Sequence, residues 1–136
     1  MNARASVERL IDRVGDGEWD RLAELYAEDA VVEQPFAQPN AVTIRGREAL
    51  ATYFAAAARA GIRFAVTDLR VLETDDPEVV VAEYRYRRPT GEGDGLWNVQ
   101  VFRVRDGNIV ESRDYHDHAR LGGLIRNQSP GGGSGD

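Results

Sequence analysis

Residues 95–118 read GLWNVQVFRVRDGNIVESRDYHDH, and this stretch decides the fold. Apolar and polar residues alternate over 95–105 and again over 109–118, which is the period of a β-strand. Asp106-Gly107-Asn108 lies between the two runs and is a signal for a tight hairpin turn. Two further strands are predicted over 62–74 and 78–89, with a hairpin loop over 90–95. The C-terminal half therefore predicts an antiparallel meander.

The N-terminal half has helical periodicity instead. Apolar residues recur at helical spacing over 5–14 and 17–27, and Gly46-Arg47-Glu48 opens a third helix through about Arg59. A short strand is predicted over 30–36, a loop over 37–45 and a short closing piece over 119–126. Helices followed by an antiparallel meander predict an α+β domain. We expect one domain over 1–128 and a flexible Gly/Ser-rich tail over 129–136.

The composition excludes several kinds of chemistry. The 136 residues include no cysteine and no lysine, so thiolate nucleophiles and lysine Schiff bases are excluded. The net charge of -6 argues against a nucleic-acid partner. No apolar run approaches the roughly 20 residues of a membrane helix, so no membrane partner is predicted and a cytoplasmic location is expected by default.

The strand over 109–118 concentrates the remaining chemistry, because it carries both histidines of the chain. Alternate side chains of a strand share one face, so Ser112, Asp114, His116 and His118 are predicted to lie together. A carboxylate beside an imidazole can perform acid/base catalysis near neutral pH. A structural ion pair between Asp114 and an arginine such as Arg113 is the alternative.

Several motifs carry a resemblance to a known family: residues 15–36 (GDGEWDRLAELYAEDAVVEQPF), 46–48 (GRE), 103–110 (RVRDGNIV) and 113–115 (RDY). The sequence resembles the SnoaL-like branch of the nuclear transport factor 2 (NTF2) superfamily over about 5–121. That group includes ketosteroid isomerases, limonene epoxide hydrolase and polyketide cyclases. The resemblance implies a cone-shaped NTF2-like fold, in which three N-terminal helices pack on a strongly bent, mostly antiparallel sheet that encloses a pocket. It also implies a homodimer.

The sequence departs from two members of the group at their catalytic positions. Gln34 stands where ketosteroid isomerases have their catalytic aspartate, and Leu10 and Gln100 replace their two oxyanion donors. Tyr84 and Tyr86 replace the arginine and aspartate of the middle strand in limonene epoxide hydrolase. The aspartate of the last strand is retained, as Asp114.

The resemblance implies a pocket lined by polar groups on an apolar background. Asp114 and His116 are the predicted catalytic residues. The predicted substrate-binding residues are Gln34, Tyr84, Tyr86, Asn98, Gln100, Phe36, Phe54 and Leu10. His116, His118 and Asp114 have donor atoms that suit divalent ions, but the sequence offers no obvious further ligand, so neither a metal nor a cofactor is predicted.

Two functions from different classes fit these features. The first is a cofactor-independent, polyketide-cyclase-like enzyme. It would act by general acid/base chemistry on a hydrophobic small molecule that bears a carbonyl or an epoxide, through cyclisation, isomerisation, dehydration or epoxide opening. The second is a non-catalytic module that binds a hydrophobic ligand or another protein, because one fold hosts many functions.

Overall fold

The computed structural model describes residues 2–126. The described chain has the element order α1 (Ala3–Gly15), β1 (Tyr26–Gln34), β2 (Val42–Arg45), α2 (Arg47–Arg59), β3 (Ala65–Glu73), β4 (Val79–Arg87), β5 (Leu96–Arg105), β6 (Asn108–His116) and α3 (His118–Arg126). Two 3-10 turns, Trp19–Arg21 and Ala23–Leu25, connect α1 to β1. The predicted α+β class is confirmed.

The six strands form one sheet in the order β2-β1-β6-β5-β4-β3. Neighbouring strands are antiparallel, except that β1 runs parallel to β6. Helix α1 packs on β3 to β6, and α2 packs on β1 and β2. The sheet is therefore covered by helices on one face, as the predicted fold requires.

The turn between β5 and β6 has the geometry that its sequence predicts. Asp106 and Gly107 both have positive φ, 54° and 82°. Positive φ at both central residues is the requirement of a type I′ turn, whose twist matches that of the flanking strands. Arg105 pairs with Asn108 on either side of the turn. The Asp-Gly signal thus fixes where the hairpin begins.

One extra residue in β6 then shifts the pairing of the hairpin. Val104 pairs with Ile109, whereas Phe102 pairs with Ser112, so two steps along β5 correspond to three along β6. This arrangement is a β-bulge, which lets a strand change the side to which its residues point. As a result Ile109 and Ser112 are both fully buried, although they are an odd number of residues apart.

The core forms where the helices meet the inner face of the sheet. The buried residues of α1 include Val7, Leu10, Ile11 and Val14, whose spacing of three and four places them on one face of the helix. The Asn2 side chain caps this helix by accepting a hydrogen bond from the Ala5 N–H at 2.8 Å. Phe102, Val80 and Ile109 of the sheet belong to the same buried cluster as these residues.

Two sequence predictions are wrong in detail. The helix expected over 17–27 is instead a pair of 3-10 turns followed by the start of β1. Trp19, Leu22 and Leu25 recur every three residues, which is the period of a 3-10 helix. The loop expected over 37–45 contains strand β2, whose side chains are mostly exposed. An exposed edge strand lacks the apolar alternation on which sequence prediction depends.

The structure tests the predictions of the tail, the membrane partner, the homodimer and the cellular location only in part. The predicted tail over 129–136 lies outside the described residues. Within residues 2–126 no helix combines the length and apolar character needed to cross a membrane. Homodimerisation and a cytoplasmic location stay predictions.

We expect Phe102→Ala to lower the free energy of unfolding by about 3–5 kcal/mol, because the fully buried ring would leave a cavity that its neighbours cannot fill. Urea denaturation measures this loss. Val101→Ala is the control, since Val101 precedes Phe102 in the same strand, faces the other side of the sheet and is half-buried. Equal losses in the two variants would contradict the proposed core.

Candidate active site

A cavity of about 320 Å³ lies between the sheet and the helices. Its walls are mostly apolar and come from α1, α2, the 3-10 turns and the inner face of the sheet, while Leu121 and Ile125 of α3 border it as well. The polar side chains that line it are Tyr26, Gln34, Tyr53, Tyr84, Tyr86, Gln100, Asp114 and His116. A few polar groups in an apolar cavity are typical of a small-molecule site.

Asp114 is held through only one of its two carboxylate oxygens. Gln100 Nε2 donates a hydrogen bond to Asp114 Oδ1 at 2.8 Å, and Ser112 Oγ donates to the same oxygen at 2.5 Å. Both donors come from the local sheet, since Gln100 is the cross-strand partner of Asp114 and Ser112 lies two residues earlier. Among the described residues, Oδ2 has no hydrogen-bond partner.

A chain of hydrogen bonds extends from Gln100 into β4. The Tyr84 hydroxyl donates a hydrogen bond to Gln100 Oε1 at 2.5 Å. The hydroxyl oxygens of Tyr84 and Tyr86 are 3.4 Å apart. The amide of Gln100 is therefore engaged at its oxygen and at its nitrogen. Burial raises the pKa of both tyrosines, so both keep their protons at neutral pH.

Burial raises the pKa of Asp114, although the hydrogen bonds from Ser112 and Gln100 and the charge of His118 act in the opposite direction. The carboxyl keeps part of its surface accessible, because it borders the cavity. No arginine among the described residues forms an ion pair with it, and Arg113 donates instead to the Tyr115 hydroxyl at 3.3 Å. The alternative of a structural pair with Arg113 is therefore wrong.

His116 borders the cavity, but no hydrogen bond joins it to Asp114 in the described chain. Its ring lies against that of His118, with 4.1 Å between the ring centroids. Nε2 of each histidine is buried without a hydrogen-bond partner in the described chain. Burial, together with His118, lowers the pKa of His116 to about 4, against the opposing effect of Asp117. His116 is therefore neutral at physiological pH.

Two polar groups lie on elements far from Asp114 in the sequence. Gln34 Nε2, at the end of β1, donates to the Tyr53 hydroxyl of α2 at 3.0 Å. Because that hydroxyl accepts from Gln34, its own hydrogen stays available to another acceptor. Tyr53 is 46% exposed and borders the cavity. Sequence reasoning missed it, since an aromatic residue in an alanine-rich helix predicts packing.

Tyr26 is a second residue that the sequence did not single out. Its side chain is buried on the wall of the cavity, and burial followed by the charge of Asp114 raises its pKa. The sequence pattern predicts a helix over 17–27 that includes Tyr26, whereas Tyr26 is the first residue of β1. In that strand it shares the buried face with Ala30, Val32 and Gln34, and this alternation was the available signal.

The structure brings most of the predicted site residues to one cavity. Those that line it are Leu10, Gln34, Phe54, Tyr84, Tyr86, Gln100, Asp114 and His116. Phe36 does not, because it lies beyond the end of β1, is 60% exposed and packs on Tyr115. Asn98 is only 1% exposed and lies within the protein instead of on the cavity wall.

The described residues contain no cluster of three or more histidine, cysteine or carboxylate side chains that could hold a metal ion. The rings of His116 and His118 are tilted by 33° relative to each other, with their centroids 4.1 Å apart. That the site uses no metal and no cofactor stays a prediction.

The family model of the SnoaL-like domain matches residues 7–112. The chain belongs to the SnoaL-like family. The steroid Delta-isomerase of Nocardioides simplex is a relative, 29% identical over 116 residues that make up 82% of this chain and 87% of that protein. This SnoaL-like chain aligns with that isomerase over most of both sequences, although Gln34 stands where the catalytic aspartate of ketosteroid isomerases is expected.

Solved structures of similar proteins have the same fold. A proposed isomerase from Bacillus subtilis is 25% identical, with a TM-score of 0.74, and the match covers 96% of this chain and 93% of that one. A proposed polyketide cyclase from Pseudomonas putida is 20% identical, with a TM-score of 0.69 and coverage of 89% and 96%. The second likeness shows the fold alone.

We expect Asp114→Asn to be at least as stable as the wild type at neutral pH. A carboxyl whose pKa is raised by folding contributes stability only when protonated, so its ionised form opposes folding at neutral pH. Asparagine removes that charge and keeps an oxygen that can accept from the two donors. Urea denaturation at neutral pH measures the difference, which should shrink as the pH falls through the pKa of Asp114.

Asp76→Asn is the matched control for this prediction. The hydrogen bond from the Glu78 N–H, followed by Arg103, lowers the pKa of Asp76, so its ionised form favours folding. This variant should be less stable than the wild type at neutral pH. A stability loss in Asp114→Asn like that in Asp76→Asn would show that Asp114 has a structural role.

His116 should make the stability depend on pH between about 6.5 and 4. Its pKa is lower in the folded state, so its contribution is present above the unfolded value and is lost as the pH falls toward about 4. His116→Gln should reduce the change in the free energy of unfolding across this window by on the order of 1 kcal/mol, after allowance for solvent screening of a partly exposed ring. Parallel stability profiles in urea for the two proteins would contradict this expectation.

Proposed function

We propose that this protein is an isomerase- or cyclase-type enzyme that moves a proton on a neutral, hydrophobic, carbonyl-bearing small molecule without a cofactor. One observation carries the proposal. Asp114 presents a carboxylate of raised pKa to an apolar cavity, with one oxygen bound by two protein donors and the other without a partner within residues 2–126. Perturbed carboxyls in cavities are candidates for catalysis.

Asp114 acts as the proton carrier in this proposal. As a carboxylate it takes a proton from a carbon adjacent to the substrate carbonyl, and the electron pair of the broken C–H bond moves into the carbonyl to give an enolate. A raised pKa brings the carboxyl closer to neutral pH, where a general base is most effective. The protonated carboxyl can then return the proton to a different carbon, which completes an isomerisation.

Tyr53 is the donor that we assign to the enolate oxygen. Its hydroxyl accepts from Gln34, which leaves its hydrogen free to bind a substrate oxygen. Tyr86 is a second donor, because its hydroxyl keeps its proton and its 3.4 Å contact with Tyr84 is long enough to be exchanged for one with a substrate oxygen. Donors that already face the cavity stabilise developing negative charge without reorganisation.

We assign His116 to substrate binding and not to proton abstraction. With a pKa lowered to about 4, it is neutral at physiological pH and is a weak base there. A neutral imidazole can still exchange hydrogen bonds with a substrate at the wall of the cavity.

The names of similar proteins support an isomerase or a cyclase. Both reactions can proceed through an enolate. The enolate is either reprotonated by Asp114 or attacks a second carbonyl carbon of the same molecule, whose oxygen then takes the proton from Asp114. Epoxide opening is less well supported, because Tyr84 and Tyr86 occupy the positions where limonene epoxide hydrolase has its arginine and aspartate. In the isomerisation, Asp114 would be the general base in place of the aspartate that Gln34 replaces.

Asp114→Asn should lower turnover by at least about 100-fold, because asparagine cannot accept the proton. The assay is the ultraviolet absorbance of the conjugated enone formed from a β,γ-unsaturated ketosteroid, together with a panel of linear polyketones. Binding of naphthol, a planar neutral phenol, should be kept within a few-fold in the variant, since the cavity is unchanged.

Asp117→Asn is the control, because this exposed carboxylate follows β6 and its oxygen caps α3, a role that asparagine can keep. Its turnover should stay within about twofold of the wild type. Unchanged turnover in Asp114→Asn would refute the assignment. Tight naphthol binding by a wild-type protein that converts none of the panel would favour the non-catalytic binding module.

A further inference from the structure

Two uncharged donors converge on a single oxygen of Asp114. Gln100 reaches Oδ1 from the neighbouring strand at 2.8 Å, and Ser112 reaches it along the same strand at 2.5 Å. Ser112 is fully buried. Neither donor carries a charge or titrates near neutral pH, so neither can take the proton from the carboxyl.

The Asp114 carboxylate sets the orientation of the Gln100 amide. A glutamine amide can rotate to exchange its oxygen and nitrogen, but an Oε1 turned toward Asp114 would place two acceptors against each other while the carboxyl is ionised. Nε2 therefore faces Asp114, and Oε1 at the other end accepts from the Tyr84 hydroxyl. Tyr84 is itself almost fully buried, which limits its alternatives.

The two oxygens of Asp114 are not equivalent as sites for a proton in this arrangement. A proton on Oδ1 would point toward the hydrogens of two donors, and at least one of those hydrogen bonds would break. A proton on Oδ2 leaves both bonds to Oδ1 intact, because the oxygen of a carboxylic acid still accepts. The network can therefore stay unchanged in both protonation states.

We propose that Gln100 and Ser112 are positioning residues that hold Asp114 Oδ1 in both protonation states and thereby make Oδ2 the atom through which the proton passes. The holding itself is independent of catalysis, whereas its use in proton transfer rests on the function proposed above. The amide at position 100 is then engaged by the protein at both ends, and does not have the role in substrate binding that the sequence predicted.

The chemical identity of residue 100 matters for this role. A carboxylate there would share a proton with Asp114, and the two groups would titrate as a pair. An amide gives the same hydrogen bond without a second titrating site. Asp114 can then titrate as a single group: the charge of His118 acts on it, while the neighbouring hydroxyls of Tyr26, Tyr84 and Tyr86 have raised pKa values and stay neutral.

The test is a titration of the Asp114 carboxyl followed by carbon-13 NMR, with the resonance assigned through its absence in Asp114→Asn. Gln100→Leu and Ser112→Ala should each raise the pKa of Asp114 by about one pH unit, because each removes a hydrogen bond to the charged form. Ser112→Ala is the smaller change and serves if Gln100→Leu does not fold. Gln34→Leu, which removes the other glutamine of the cavity, should leave this pKa within a few tenths.

The pH profile of kcat/KM separates the two proposals. If both hold, the acidic limb of the profile moves upward by the same amount as the NMR titration. If the Asp114 pKa from the NMR titration rises while the acidic limb of the kcat/KM profile does not move, the positioning role is supported and the assignment of Asp114 as the base is overturned. An Asp114 pKa that is unchanged or lowered in both Gln100→Leu and Ser112→Ala would overturn the positioning role, whatever the turnover.

Discussion

The bulge in β6 is the constraint on which the rest of the site depends. Ile109 must face inward to fill the core beside Val104, and Asp114 must face inward to reach the cavity, yet they are five positions apart, an odd number. Strict alternation would place one of the two on the outer face, because a shift of one residue exchanges the faces of a strand. The extra residue in β6 reconciles the two requirements, so that one strand supplies both the core and the carboxylate.

The same pairing between β5 and β6 places opposing influences on the charge of Asp114. Beyond the bulge, Gln100 lies directly opposite Asp114 and can donate to it without any adjustment of the backbone. Burial opposes the charge on Asp114, while two neutral donors and the field of His118 favour it. A balance of this kind leaves the carboxyl able to gain or lose a proton, whereas an ion pair with arginine would fix it in the charged form. None of the described residues that line the cavity is a lysine or an arginine, which fits a neutral substrate.

Much of the fold follows from local patterns in the chain. The Asp-Gly turn, the alternating strands of the C-terminal half and the amphipathic α1 all reflect interactions between residues close in sequence, and the structure has them near the expected positions. The predictions of a helix over 17–27 and of a loop in place of β2 are wrong because the local pattern is ambiguous in both places. A spacing of three fits both a 3-10 turn and one face of an α-helix, and an exposed edge strand has no apolar face to reveal it.

The sequence by itself determined that Asp114 and His116 share a strand face and that cysteine and lysine chemistry is excluded. Only the tertiary structure decided which groups meet there. Asp114 bonds to Ser112 and Gln100 instead of His116, Tyr53 approaches Gln34 from α2, and Phe36 lies outside the cavity. The physical reason is that alternation fixes the direction of a side chain relative to its own strand. Its partners depend instead on the register between strands and on the packing of distant helices, which no local pattern encodes.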